Sequence, residues 1–191
     1  MIDLHAATTQ MSGILARIDD AQLGRPTPCP DTTVGDLVDH VGGFALGFAA
    51  AARKATVGQS GPPPKPDATR LEAGWRNRVA GDLDALADAW RDPAAWEGMT
   101  TVGPVDLPGQ VAALVALDEL VVHGWDLAVA TGQPFAPSDD DVRAAMSFVS
   151  SFDAPRDGNL FGPIVPVDAS ASPLDQLLGL TGRDPAWQPA S

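Results

Sequence analysis

Residues 110–130 read QVAALVALDELVVHGWDLAVA, and this stretch decides the fold class of the chain. Its apolar residues cover most of the circumference of a helix, which predicts a helix buried on several sides. The same stretch holds four ionisable side chains: Asp118, Glu119, His123 and Asp126. Buried carboxylates need compensation, because removing an unpaired charge from water is costly. The stretch therefore poses the question of what neutralises its charges.

The neighbouring sequence offers no basic residue for this purpose. No Lys or Arg lies between Arg91 and Arg143, whereas that interval contains nine acidic residues. An ion pair within the helix is therefore excluded. Four possibilities stay open: an arginine from another helix, protonation of the carboxylates, hydrogen bonding, or a metal ion.

Glu119 and His123 lie one helical turn apart, and Asp126 falls within about 20° of Glu119 on a helical wheel. His40 lies at the edge of the apolar stripe of another predicted helix, three residues after Leu37. Two imidazole nitrogens and one carboxylate oxygen form a ligand set with open positions, as in catalytic metal sites. The pattern therefore makes His40, Glu119 and His123 candidate metal ligands. Asp126 either orients an imidazole N–H from behind the ligands or has a structural role, as a cap or as the partner of an arginine.

A reading without a metal is also open. In it, Glu119 pairs with Arg76, Arg78 or another arginine of the third predicted helix. Two further groups are assigned no part in the site: Cys29 is expected to be a structural or loop thiol, and His5 to be exposed to solvent. Asp118 points into the apolar arc of its helix, and the sequence does not explain what satisfies it.

Hydrophobic periodicity places the other elements. The predicted helices cover residues 8–19, 32–54 with Thr33 as the cap, 68–91, 110–130, a shorter one after Ser138, and 173–180. Residues 58–67 are rich in proline and form a linker or loop, and a short extended piece is expected around residues 100–105. We predict a single all-α domain over residues 1–191: a four-helix bundle with a short C-terminal extension at about residues 155–191.

Composition narrows the possible partners. The 191 residues carry 25 acidic and 12 basic side chains, for a formal net charge of −13, which disfavours nucleic acid and membrane surfaces. The sequence has neither a secretory signal nor a membrane-spanning run, so we expect a cytoplasmic protein. The hydrophobic helices are compatible with a homodimer.

Three motifs, in order, carry a resemblance to a known family: TPCPDTTVGDLVDHVGG at residues 27–43, ELVVHGWDLAVATGQ at 119–133, and GPIVPV with LLGLTGRDP between 162 and 185. Together they resemble actinobacterial metal-binding proteins related to the N-terminal domain of mycothiol-dependent maleylpyruvate isomerase, within the DinB/YfiT-like superfamily. The resemblance implies a four-helix bundle that binds a divalent metal ion, zinc or nickel. Carried over residue by residue, it implies the ligands His40, Glu119 and His123, with mycothiol as a co-substrate. The larger second domain of the isomerase is not found, so maleylpyruvate isomerisation is not expected.

Two functions follow from these expectations. The first is a metal-dependent thiol transferase, in which a small-molecule thiol attacks a small electrophile. The second is a metal-stabilised binding or regulatory module without turnover.

Overall fold

The computed structural model describes residues 1–55, 64–151, 156 and 161–189. Parts of the predicted linker at 58–67 and of the C-terminal extension at 155–191 lie outside the described residues. The helices are α1 (His5–Ala16), α2 (Val34–Ala52), α3 (Trp75–Ala89), α4 (Pro93–Trp96), α5 (Gly109–Thr131), α6 (Asp139–Ser151) and α7 (Pro173–Leu180). Two short strands, β1 (Met99–Val102) and β2 (Val105–Pro108), pair antiparallel. The described chain is thus mostly helical, as predicted.

Helix α5 lies at the centre of the packing. It contacts α1, α2 and α6, while α3 contacts both α1 and α2. Leu117, Leu120 and Leu127 of α5 are almost completely buried. The prediction of a buried helix over residues 110–130 is therefore confirmed. None of the helices in the described part of the chain has the length and apolar character needed to cross a bilayer.

The N-terminus of α2 is fixed by the predicted cap. The Thr33 hydroxyl oxygen accepts a hydrogen bond from the Asp36 backbone N–H, and the Asp36 carboxylate accepts one from the Thr33 N–H. This reciprocal capping box satisfies two backbone donors that the first turn leaves free. Asp36 also accepts the Ala68 N–H at 2.8 Å, which attaches the segment before α3 to α2. These bonds fix the first turn of α2, the helix that carries His40.

The third helix is shorter than its predicted range of 68–91. Residues Ala68–Arg70 form a 3-10 turn, and α3 starts only at Trp75, after Gly74 with φ of 84°. Arg70 forms a salt bridge with Asp39 of α2, which holds the turn against α2 rather than in line with α3. Apolar periodicity alone does not predict this salt bridge between Arg70 and Asp39.

The second difference from the prediction is a β-hairpin, which the all-α prediction did not include. The sequence indicated one extended piece around residues 100–105, whereas two strands of four residues each pair from Met99↔Pro108 to Val102↔Val105. Gly103, with φ of 57°, stands in the tight turn between them. Most positions of both strands are exposed, so the alternation of apolar and polar residues that marks a half-buried strand is missing.

Candidate metal centre

Two packed helices bring the three predicted ligands together. His40 comes from α2, and Glu119 and His123 come from successive turns of α5. Glu119 Oε2 lies 3.1 Å from His40 Nε2 and 3.1 Å from His123 Nε2. The two imidazole rings meet edge to face with their centroids 5.0 Å apart. One carboxylate oxygen is therefore the shared partner of two imidazole nitrogens.

Burial and hydrogen bonding act in opposite directions on this cluster. Burial disfavours the Glu119 carboxylate, but hydrogen bonds from His123 and His40 outweigh burial and hold the pKa of Glu119 well below its usual range. Burial likewise lowers the pKa of His123, whereas hydrogen bonds to Asp126 and Glu119 raise it to about 10. The carboxylate is therefore ionised at neutral pH.

The donor set suits a divalent transition metal. One nitrogen of each histidine and one carboxylate oxygen of Glu119 lie within 4.8 Å of one another. Imidazole and carboxylate are ligands that both zinc and nickel accept. The His40 side chain is 33% exposed, against 12% for His123. The cluster is therefore in contact with solvent on the side of His40.

Asp126 combines two of the roles that the sequence left open: it contacts an imidazole N–H and it pairs with an arginine. Its Oδ2 accepts a hydrogen bond from His123 Nδ1 at 2.9 Å, on the side of the ring facing away from Glu119. It also pairs with Arg183, whose Nη2 lies 3.0 Å from the same oxygen. Asp126 has no exposed surface, and although burial opposes its ionisation, the charge of Arg183 lowers its pKa. Asp126 thus joins an imidazole of the cluster to a buried guanidinium.

Arg183 is a site residue that the sequence reasoning missed. It follows the end of α7, where the Arg183 N–H donates to Leu178 O at 2.8 Å and the Gly182 N–H donates to Gly179 O at 3.2 Å. These two bonds form a Schellman motif, with Gly182 in the left-handed conformation at φ of 87°. The sequence LLGLTGRDP is typical of this motif, because a glycine follows the end of the helix. Its meeting with Asp126, however, depends on the tertiary packing of α6 and α7.

Cys29 also lies at the edge of this cluster. Its sulfur, one ring nitrogen of His123 and one carboxylate oxygen of Asp126 lie within 4.8 Å of one another. The thiol is half-buried in the loop before α2, where the Cys29 N–H donates to the Thr27 hydroxyl oxygen at 3.2 Å. The expectation of a loop residue is confirmed, but the loop adjoins the candidate site.

Asp118 is buried near the same groups. Its Oδ1 has no hydrogen-bond partner among the described residues. Burial, reinforced by the negative charge of Glu119, raises the pKa of Asp118 to about 8. Among the described residues no basic side chain forms a hydrogen bond or ion pair with Asp118, and burial opposes its ionisation.

The alternative pairing of Glu119 with an arginine of the third helix is wrong. Arg76 binds Asp20 at 2.7 Å and Arg78 binds Asp82 at 3.3 Å. His5 is exposed, as expected.

The fold and this cluster define a helical protein with a candidate centre of two histidines and one carboxylate. Comparison with known sequences then places it: the chain belongs to the mycothiol maleylpyruvate isomerase N-terminal domain family, whose sequence model matches residues 4–128. The match includes His40, Glu119, His123 and Asp126 and ends before Arg183.

Two relatives extend the similarity over the rest of the chain. They are uncharacterised proteins of Mycobacterium tuberculosis, from strains CDC 1551 / Oshkosh and ATCC 25618 / H37Rv. Each is 32% identical over 190 residues, which covers 93% of this chain and 93% of the relative.

Among solved structures, the mycothiol-dependent maleylpyruvate isomerase resembles this chain with a TM-score of 0.59 and 20% sequence identity. A histidine-to-alanine mutant of that enzyme matches equally well. The match covers 78% of this chain and 66% of the enzyme. At this identity the likeness establishes the fold.

Proposed function

We propose that this protein binds one divalent metal ion, zinc or nickel, through His40, Glu119 and His123. The observation that carries the proposal is the position of Glu119 Oε2, 3.1 Å from both histidine Nε2 atoms. Ligand atoms this close together suit one ion at ordinary bond lengths of about 2.0–2.2 Å. We also propose that the four-helix bundle of DinB-like proteins corresponds here to α1, α2, α3 and α5, with the centre between α2 and α5.

The surroundings of the ligands support a metal centre more than a simple hydrogen-bond network. Asp126 accepts the Nδ1–H of His123, which orients Nε2 toward Glu119, and a bound metal ion would take the place of the Nε2 proton. Carboxylate–histidine pairs of this kind orient the ligands of many metal sites. The partial exposure of His40 leaves an approach for a further ligand.

We further propose that the centre serves a small-molecule thiol, of which mycothiol is the first candidate. A bound divalent ion would supply a positive charge that favours the deprotonated thiol at neutral pH. The solved enzyme that shares this fold is named as mycothiol-dependent, which makes thiol chemistry the first activity to test. In the simplest reaction the thiol sulfur bonds to an electrophilic carbon of the substrate. The proton released by the thiol then ends on the adduct or, if a leaving group departs, on that group.

Metal binding is tested on protein purified without a histidine tag. Elemental analysis should find close to one divalent ion per chain, and the His40→Ala and His123→Ala variants should lose it. His5→Ala is the matched control, because it removes an exposed histidine far in sequence from the cluster. Wild-type protein that is folded and takes up neither zinc nor nickel would refute the proposal.

Activity is tested separately. Adduct formation between mycothiol and a model electrophile, followed by mass spectrometry with and without a chelator, should be faster with the metal-loaded protein. A metal-loaded protein that accelerates no such reaction would instead indicate a binding or regulatory module without turnover.

A further inference from the structure

The segment after α7 reaches into the candidate centre from outside the matched family domain. Arg183 Nη2 lies 3.0 Å from Asp126 Oδ2, and Arg183 Nε lies 3.4 Å from Asp126 Oδ1. The guanidinium thus spans both oxygens of the carboxylate, and its Nη1 donates to Thr181 O at 3.0 Å. The Arg183 side chain is only 10% exposed and Asp126 is completely buried.

Asp126 Oδ2 is shared between Arg183 and His123. The oxygen that accepts from Arg183 Nη2 is also the one that lies 2.9 Å from His123 Nδ1. A paired guanidinium holds a carboxylate in one plane, because its N–H donors have a fixed geometry. Arg183 therefore determines how Asp126 faces the imidazole ring.

The contact between Arg183 and Asp126 argues against a second cation site in this region. Cys29, His123 and Asp126 have the residue types and the spacing of a second cation site. The Arg183 guanidinium already covers both oxygens of Asp126, so a second cation would have to displace a buried positive charge.

We infer that Arg183 is a positioning residue for the metal centre, an inference that rests on the proposed function. It holds the Asp126 carboxylate in one orientation, Asp126 accepts the Nδ1–H of His123, and the imidazole ring is thereby held with Nε2 toward Glu119. Without Arg183, the fully buried Asp126 carboxylate keeps His123 as its one side-chain partner in the described part of the chain. The carboxylate is then free to turn away from His123, and the imidazole ring loses the contact that holds its Nε2 toward Glu119.

The test compares the zinc affinity of Arg183→Met, Arg183→Lys, Asp126→Asn and the double variant Asp126→Asn/Arg183→Met by competition with a chromophoric chelator. Arg156→Gln is the matched control: Arg156 also joins the C-terminal segment to α6, through Leu180 O and Val149 O, but does not touch Asp126. We expect about 10–100-fold weaker zinc binding for Arg183→Met, an intermediate loss for Arg183→Lys, and a change under about two-fold for Arg156→Gln.

Two readouts separate positioning from general structural support. The double variant should bind zinc within about two-fold of Asp126→Asn alone, because Arg183 acts through Asp126. In zinc-loaded protein, the Nδ1–H proton of His123 should give a protected NMR resonance in the wild type and in Arg156→Gln but not in Arg183→Met. If Arg183→Met does not fold, Arg183→Lys and Asp126→Asn carry the test.

The outcomes are distinguishable. A wild type that binds zinc together with an Arg183→Met variant that binds it equally well overturns the inference alone. So does a loss in the double variant equal to the product of the single losses. A wild type that binds no zinc overturns the proposed function, and the inference falls with it.

Discussion

Replacing Gly182 by alanine should damage both stability and the candidate centre. Gly182 has φ of 87°, a left-handed conformation that costs a residue with a Cβ about 1–2 kcal/mol. An added Cβ would lie 2.8 Å from Gly162 Cα and 3.0 Å from Gly162 C, closer than such contacts normally come. Because these atoms are backbone, relieving the overlap moves the chain, at a further cost of about 1–3 kcal/mol. We expect a total loss of about 2–5 kcal/mol in the free energy of unfolding.

Gly132 provides the matched control. It ends α5 with φ of 72° and repeats the hydrogen bonds of the α7 end: the Gly132 N–H donates to Val129 O at 3.3 Å and the Gln133 N–H to Ala128 O at 2.8 Å. An added Cβ at Gly132 meets nothing within 4 Å. Gly132→Ala should therefore show only the backbone cost of about 1–2 kcal/mol.

Urea unfolding of metal-free protein measures both variants, and chelator competition measures their zinc affinity. Gly182→Ala should also weaken zinc binding, because the displaced turn carries Arg183, whereas Gly132→Ala should not. Equal loss of stability in the two variants would refute the packing argument. Unchanged zinc affinity in Gly182→Ala, despite the larger loss of stability, would refute the link between the turn and the centre.

Two further experiments test the helix packing and the ligand set of the candidate centre. Gly109→Ala should lower the free energy of unfolding in urea by about 1–3 kcal/mol, because its Cβ would lie 2.3 Å from Ala95 O. The control Gly81→Ala, in α3 with open space around the added Cβ, should raise that free energy by up to about 1 kcal/mol. Equal effects of the two substitutions would contradict this reasoning. Cys29→Ala should keep one zinc per chain with an affinity within about two-fold of wild type, because the oxygens of Asp126 are already bound, and loss of zinc in elemental analysis would show that the thiol is a ligand.

The sequence predicted what local periodicity determines. Glu119 and His123 share a face because four residues make about one helical turn, and the structure keeps that spacing within α5. The approach of His40, 79 residues before Glu119, was predicted only as a possibility of helix packing and is found. That these three residues bind a metal stays a prediction.

The features that the sequence did not reveal depend on side-chain pairs between separate elements of the fold. Asp126 and Arg183 are 57 residues apart, and their pairing depends on the path of the chain through α6 and α7. The turn before α3 is held against α2 by the salt bridge between Arg70 and Asp39, which hydrophobic periodicity does not encode.

The charges of α5 are compensated in different ways, and the difference bears on the proposed function. Asp126 is neutralised by Arg183, whereas burial opposes the ionisation of Asp118 and raises its pKa to about 8. Glu119 is then the one carboxylate of this helix whose charge faces the two imidazoles. Metal binding would displace the Nε2 proton of His123, and with two neutral imidazoles and one carboxylate a divalent ion would keep a net positive charge. Such a centre favours an anionic further ligand, which is the charge of a thiolate.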